Sequence, residues 1–178
     1  MITEPPTLVT ERLVLRPHQA SDFESCSAMW NDEDVVRHVG GTTRPEQDVW
    51  FAMARVRGMW PLVGYGYWVA TEKASGRFAG EVGFADFKRG INPDLSAWPE
   101  AGWVFNRASW GKGYATEAVS AVHDWLDTHR PGASTCIIDP DNLPSRRVAE
   151  KSGYDFWCEA LYRDSPVDVF RREGAQAT

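Results

Sequence analysis

Two glycines one residue apart, at the mouth of a strongly amphipathic helix, constrain this chain more than any other feature. The stretch is Trp110-Gly111-Lys112-Gly113-Tyr114-Ala115-Thr116-Glu117-Ala118. It lies between an expected strand and a helical pattern in which Ala115, Ala118, Val119, Val122, Trp125 and Leu126 share one face. Paired glycines let a backbone turn sharply and approach a ligand closely. A helix that begins there presents unpaired N–H groups and the positive end of its dipole. Together these make an anion site suited to a pyrophosphate. A P-loop requires glycine where Asn106 stands and has Lys112 followed by Ser or Thr, not Gly113; a dinucleotide fingerprint requires glycine where Thr116 stands. The alternative at this stage is a glycine turn that does no more than start a helix.

The rest of the chain reads as one domain, residues 1–178, without repeats or long linkers. Leu13–Arg16 is an expected strand stopped by Pro17. Ser21 and Glu24 have the spacing of a capping box, and Phe23, Cys26 and Trp30 share the face of the helix that follows. Thr43-Arg44-Pro45-Glu46 starts a second helix with the apolar stripe Val49, Trp50, Met53 and Val56. The period then falls to two. Tyr67–Thr71 and Arg77–Phe84 form a hairpin, and Ala101–Phe105 is the next strand. Helix from about Ala115 to Thr128, a strand Thr135–Ile138, a short helix Asn142–Ser152 capped by Gly153, and a last strand Val167–Phe170 follow. The order β-α-α-β-β-β-α-β-α-β implies an α/β (α+β) fold, a mixed sheet with helices on its faces.

Composition excludes several classes. A net charge of −6 argues against nucleic-acid partners, which need a basic face. No apolar run is long enough to cross a membrane. The N-terminus lacks the pattern of a secretory signal. Cys26, Cys136 and Cys158 show no paired spacing, so they read as reduced core thiols of a cytoplasmic protein with no metal site. His18, His38, His123 and His129 have no partners at recognisable spacing, and His123 reads as a packing residue. Nine tryptophans imply that some line a groove or lie half exposed, because each N–H needs a partner.

A second motif lies about 30 residues after the first: Asn142-Leu143-Pro144-Ser145-Arg146-Arg147-Val148-Ala149-Glu150-Lys151-Ser152-Gly153-Tyr154. With the opening Thr10-Glu11-Arg12-Leu13-Val14-Leu15-Arg16 and Glu100–Phe105, the chain resembles the GNAT N-acetyltransferases over about residues 8–172. It is most similar to the branch that holds the ribosomal-protein N-terminal acetyltransferases. The resemblance implies a central, mostly antiparallel sheet splayed in the middle, acetyl-CoA as co-substrate, and direct attack by an amine, either a protein N-terminus or a small molecule. A homodimer is compatible with it.

The resemblance also implies roles. The main chain of Trp103, Val104 and Phe105 would hold pantetheine, with one N–H polarising the thioester carbonyl. Gly111, Lys112, Gly113, Tyr114 and Ala115 would hold the pyrophosphate through backbone N–H groups, with Trp110 and Thr116 also at the cofactor. Asn142 would hydrogen-bond pantetheine, or simply cap its helix. Many relatives carry Tyr as general acid where this chain has Ala149, so Ser145 becomes the candidate acid. Glu100 matches the usual general base, with Glu81 as a rival. The acceptor site is expected from Asp32–Arg44 and the C-terminal strands. Ala149 also leaves open a silent acyl-CoA-binding sensor module.

Overall fold

In a computed structural model that describes residues 2–175, one eight-stranded sheet runs in the order β1-β2-β3-β4-β5-β6-β8-β7. The strands are β1 (Leu8–Val9), β2 (Leu13–Arg16), β3 (Tyr67–Glu72), β4 (Phe78–Ala85), β5 (Glu100–Phe105), β6 (Ser134–Ile138), β7 (Asp155–Tyr162) and β8 (Ser165–Arg172). The helices are α1 (Phe23–Trp30), α2 (Glu33–Val36), α3 (Glu46–Val63), α4 (Tyr114–His129) and α5 (Leu143–Lys151). Neighbouring strands are antiparallel except β5 and β6, which are parallel.

Alternation along the strands sorts residues onto two faces. Leu13, Leu15, Trp68, Ala70, Val82, Phe84 and Ala101 pack with Val119, Val122 and Leu126 of α4. Trp60, Trp68 and Trp125 meet edge to face, with centroids 4.6–5.2 Å apart. Such pairs add about 0.5–1.5 kcal/mol each beyond burial. On the opposite face Cys26, Met29, Trp30, Val49 and Met53 of α1 and α3 cover Phe78 and Val104.

Several local expectations change. Ser21 does not cap α1; it lies in a 3₁₀ turn, Ala20–Asp22, and Asp22 holds the N-terminal cap position of α1 without a side-chain bond into the helix, its carboxylate closing the turn instead. The Asp22 carboxylate accepts from the Gln19 N–H at 2.8 Å and from the Arg16 guanidinium at 2.7 Å. Arg16 supplies a charged partner that Ser21 has no equivalent of, so the carboxylate wins. Trp50 leaves the α3 stripe and is half exposed, stacked edge-on to Phe23, while Trp60 extends the stripe. The expected final strand proves to be half of a hairpin. Its partner β7 is hidden in the sequence because Phe156-Trp157-Cys158 breaks period two at a bulge. Cys26 and Cys136 are buried, but Cys158 is only half-buried.

Candidate active site

The glycine turn is built as its residues require. Gly111 and Gly113 both have left-handed backbone, φ +71° and +77°, which costs an L-residue about 1–2 kcal/mol. Gly113 is the N-terminal cap of α4, whose first internal bond is Glu117 N–H to the Gly113 carbonyl at 3.1 Å. The N–H groups of Tyr114, Ala115 and Thr116 therefore have no partner within the helix. Residues 110–113 are exposed and 114–116 half-buried, so these donors border solvent.

A clasp unseen in the sequence holds this turn. The Glu117 carboxylate accepts from the Thr10 hydroxyl (2.6 Å), the Arg12 N–H (2.8 Å) and Arg12 Nε (2.7 Å). Burial works to raise the Glu117 carboxyl pKa, but the hydrogen bonds from Thr10 and Arg12 prevail and hold it below the ordinary value. Arg12 Nη1 also donates to the Lys112 carbonyl at 2.7 Å, and Lys112 Nζ lies 3.3 Å from Glu72. The Thr10–Arg12 stretch and the glycine turn thus form one unit. Local pattern carries no signal for a contact between residues over a hundred positions apart.

Beside the turn the sheet forks. β5 and β6 share a single bridge, Glu100 with Thr135, where the Thr135 N–H meets the Pro99 carbonyl at 3.0 Å. Beyond it the strands separate, leaving Gly102, Trp103 and Val104 partly exposed. The Asn106 N–H bonds the Ala79 carbonyl at 2.9 Å. By alternation Val104 and Gly102 then bond to β4, while Trp103 and Phe105 direct their main chain into the fork. Val104 therefore faces away from the role assigned to its main chain. The Phe105 carbonyl accepts from the Trp110 indole N–H at 2.8 Å, which leaves the Trp103 N–H and C=O and the Phe105 N–H as the edge groups. Trp110 itself contributes this brace and a half-exposed ring.

β5 and β6 being parallel, their C-terminal ends point the same way, and α4 and α5 both start beyond the open end of the fork. Asn142 caps α5, its Oδ1 accepting from the Ser145 N–H at 3.2 Å. That leaves its amide NH₂ for a ligand, so the cap and the binding role are compatible. Ser145 is half-buried in the first turn. Ala149 is fully buried in the core, and His123 supports the region behind it. His123 Nδ1 donates to the Val119 carbonyl at 2.7 Å, so Nε2 accepts from the Tyr154 hydroxyl at 2.9 Å. Burial lowers the His123 pKa to about 4, keeping the ring neutral.

Glu100 stands at the closed end of the fork, about 10 Å along the strand from Trp103. It is buried, and Arg89 Nε lies 2.9 and 2.7 Å from its two oxygens. Burial outweighs Arg89 and raises the carboxyl pKa above its ordinary value. Glu81 lies on the same face opposite Val104, accepting from Trp30 Nε1 at 2.7 Å and sharing a 2.6 Å bond with His18 Nε2. Tyr67 crosses between the two carboxylates. A Cβ at Gly102 would fall 2.0 Å from its hydroxyl, so glycine there is what admits the phenol to the middle of the fork. Burial, with the nearby Glu100 charge, pushes the Tyr67 hydroxyl pKa well up. Within the Asp32–Arg44 segment, Glu33, Val36, Arg37, Gly41, Thr42 and Thr43 line an open depression of about 430 Å³.

Among the described residues no cluster of metal-ligating side chains gathers, and no helix is long and apolar enough to cross a membrane. Residues 12–155 match the acetyltransferase (GNAT) domain family. An uncharacterised N-acetyltransferase of Bacillus subtilis, YnaD, is 45% identical over 82% of this chain and 81% of its own length. A GNAT-family acetyltransferase from Bordetella pertussis has a similar structure, with a TM-score of 0.84, 29% identity, and coverage of 94% of this chain and 99% of that one. The ribosomal-protein-S5-alanine acetyltransferase of Vibrio fischeri shares the fold, with a TM-score of 0.76 at 17% identity and coverage of 96% and 97%.

Proposed function

Since the chain belongs to the GNAT acetyltransferase family, and is an acyltransferase, we propose that it moves an acetyl group from acetyl-CoA to a primary amine in a ternary complex. The observation that carries this reading is the conjunction at one end of the fork: free α4 amides behind Gly113, and free main-chain groups of Trp103 and Phe105. Lys112 and Arg12 add positive charge beside the turn.

On this reading the N–H groups of Tyr114, Ala115 and Thr116 hold the diphosphate. Trp103 pairs with the pantetheine amides as a strand would, and Asn142 donates from its free NH₂. The Trp103 or Phe105 N–H polarises the acyl carbonyl as negative charge develops on its oxygen. The amine must attack unprotonated, although an α-amine has a pKa of about 7.7–8.0. Glu100 takes its proton through a water beside Tyr67, whose hydroxyl reaches over Gly102. The raised Glu100 pKa suits this task, because a weakly basic carboxylate makes a poor proton acceptor. As the C–S bond breaks, Ser145 gives a proton to sulfur. Thiolates leave readily, so the acid helps without being indispensable.

Two variants test the roles. Ser145→Ala should lower kcat about 10-fold or more with little change in acetyl-CoA affinity. Turnover at the wild-type level across the pH range would remove Ser145 as the acid. Glu100→Gln should depress kcat/KM most near neutral pH and recover toward alkaline pH, where the amine is neutral unaided. A profile identical to wild type rejects the base role. A silent acyl-CoA sensor would instead show binding with no release of thiol against any amine.

A further inference from the structure

The face above the fork carries cations that the acetyl-transfer chemistry does not use. Arg44 stacks on Trp30, its guanidinium carbon 3.5 Å from the ring centroid. Burial lowers its pKa and Arg55 adds to that lowering, while Glu81 and Asp48 work the other way. Among the described residues neither Arg44 nor Arg55 has a carboxylate within ion-pair distance, although the other arginines of this face, Arg16 and Arg89, are both paired. Arg55 lies over Phe87 at 5.8 Å, and Phe87 lies beside Tyr67 with ring centroids 6.5 Å apart.

The carboxylates nearby are already committed. Glu81 is held by Trp30 and His18, and Glu100 by Arg89. The bond from Trp30 Nε1 to Glu81 does more than satisfy a buried acid: it fixes the ring that supports Arg44. Arg44 is half-buried, and a guanidinium partly removed from water without a paired anion is unfavourable; this one is held in place on a rigid aromatic platform. The chain is acidic as a whole, at −6, so a half-buried Arg44 and an exposed Arg55, both unpaired among the described residues, run against its general charge.

We infer that the acceptor is a small primary amine that also carries an acidic group: a carboxylate, phosphonate or phosphinate. Its nitrogen lies toward Gly102 and Glu100. Its acidic group lies against Arg44 and Arg55, where a guanidinium fork matches a planar or tetrahedral anion. This substrate class presupposes the acetyl transfer proposed above.

The test is a matched acceptor panel with purified full-length protein. Amino acids with the nitrogen α to δ from the carboxylate, and aminoalkylphosphonates, are each paired with the neutral amide or ester. Peptide N-termini without a nearby acid complete the panel. Thiol release is followed, and acetyl-CoA affinity is measured separately by calorimetry. Wild-type protein should favour acidic members over their neutral partners at least 10-fold in kcat/KM. The double variant Arg44→Gln/Arg55→Gln should bring that ratio close to one with acetyl-CoA affinity unchanged. Equal use of acidic and neutral partners overturns the inference, as does preference for peptide N-termini, or no turnover of any acidic member by a protein that binds acetyl-CoA. Failure to bind acetyl-CoA at all would instead overturn the transfer reading. Should the double variant fold poorly, the wild-type ratio alone decides the matter.

Discussion

Gly113 shows how much chemistry one residue's backbone can fix. Its φ of +77° turns the chain into α4, and a Cβ there would meet Arg12 Nη2 at 3.4 Å. Gly113→Ala should therefore cost about 1–2 kcal/mol through φ alone, read from urea unfolding. Gly113→Glu should in addition abolish CoA binding, because a negative charge enters the diphosphate site. A folded Gly113→Glu variant with unchanged affinity would remove that assignment. The glycines were legible because their spacing and the helix after them are local. Tyr67 and Arg44 were not, since each gains meaning only from neighbours that the fold supplies: Gly102 for one, Trp30 for the other. Ser145 and Glu100 are candidates that the resemblance alone supplies. The structure shows the expected Asn142 cap beside the first and adds the Arg89 clamp on the second.

At the scale of elements, the sheet works because two parallel strands part after one bridge and two helices begin where they part. Both strands and both helices could be read from periodicity, as could the mixed character of the sheet. The hairpin at the C-terminus was only half legible, because a bulge disturbs the alternation of β7. The union of the Thr10–Arg12 turn with α4 was not legible at all. It depends on the Glu117 carboxylate, which collects three hydrogen bonds across the molecule. Glu117→Ala leaves those donors without their charged acceptor and frees Arg12 from its place against the Lys112 carbonyl. Stability should fall by about 1–3 kcal/mol, and acetyl-CoA affinity should fall with it. Loss of stability with affinity intact would separate the clasp from the binding turn.

For the whole molecule, pH links the buried network to stability. His123 titrates near 4 when folded and near 6.5 when unfolded, so between those values the unfolded chain binds a proton that the folded one does not. The His123 contribution to stability is thus full above about pH 6.5 and is lost as pH falls, by about 3 kcal/mol once pH 4 is reached. Glu100, with its raised pKa, works the opposite way in acid, since its folded form holds the extra proton. Comparing wild type with His123→Gln by urea unfolding at several pH values isolates the histidine contribution. The variant should lose less stability than wild type between pH 6.5 and 4.5, and parallel declines would exclude His123 as the source. One measurement reaches the central claim most directly: amide-resolved NMR during titration with coenzyme A. The N–H signals of Tyr114, Ala115 and Thr116 should move most, together with Trp103 at the fork. If those amides stay still while others shift, the diphosphate binds elsewhere and the account is wrong.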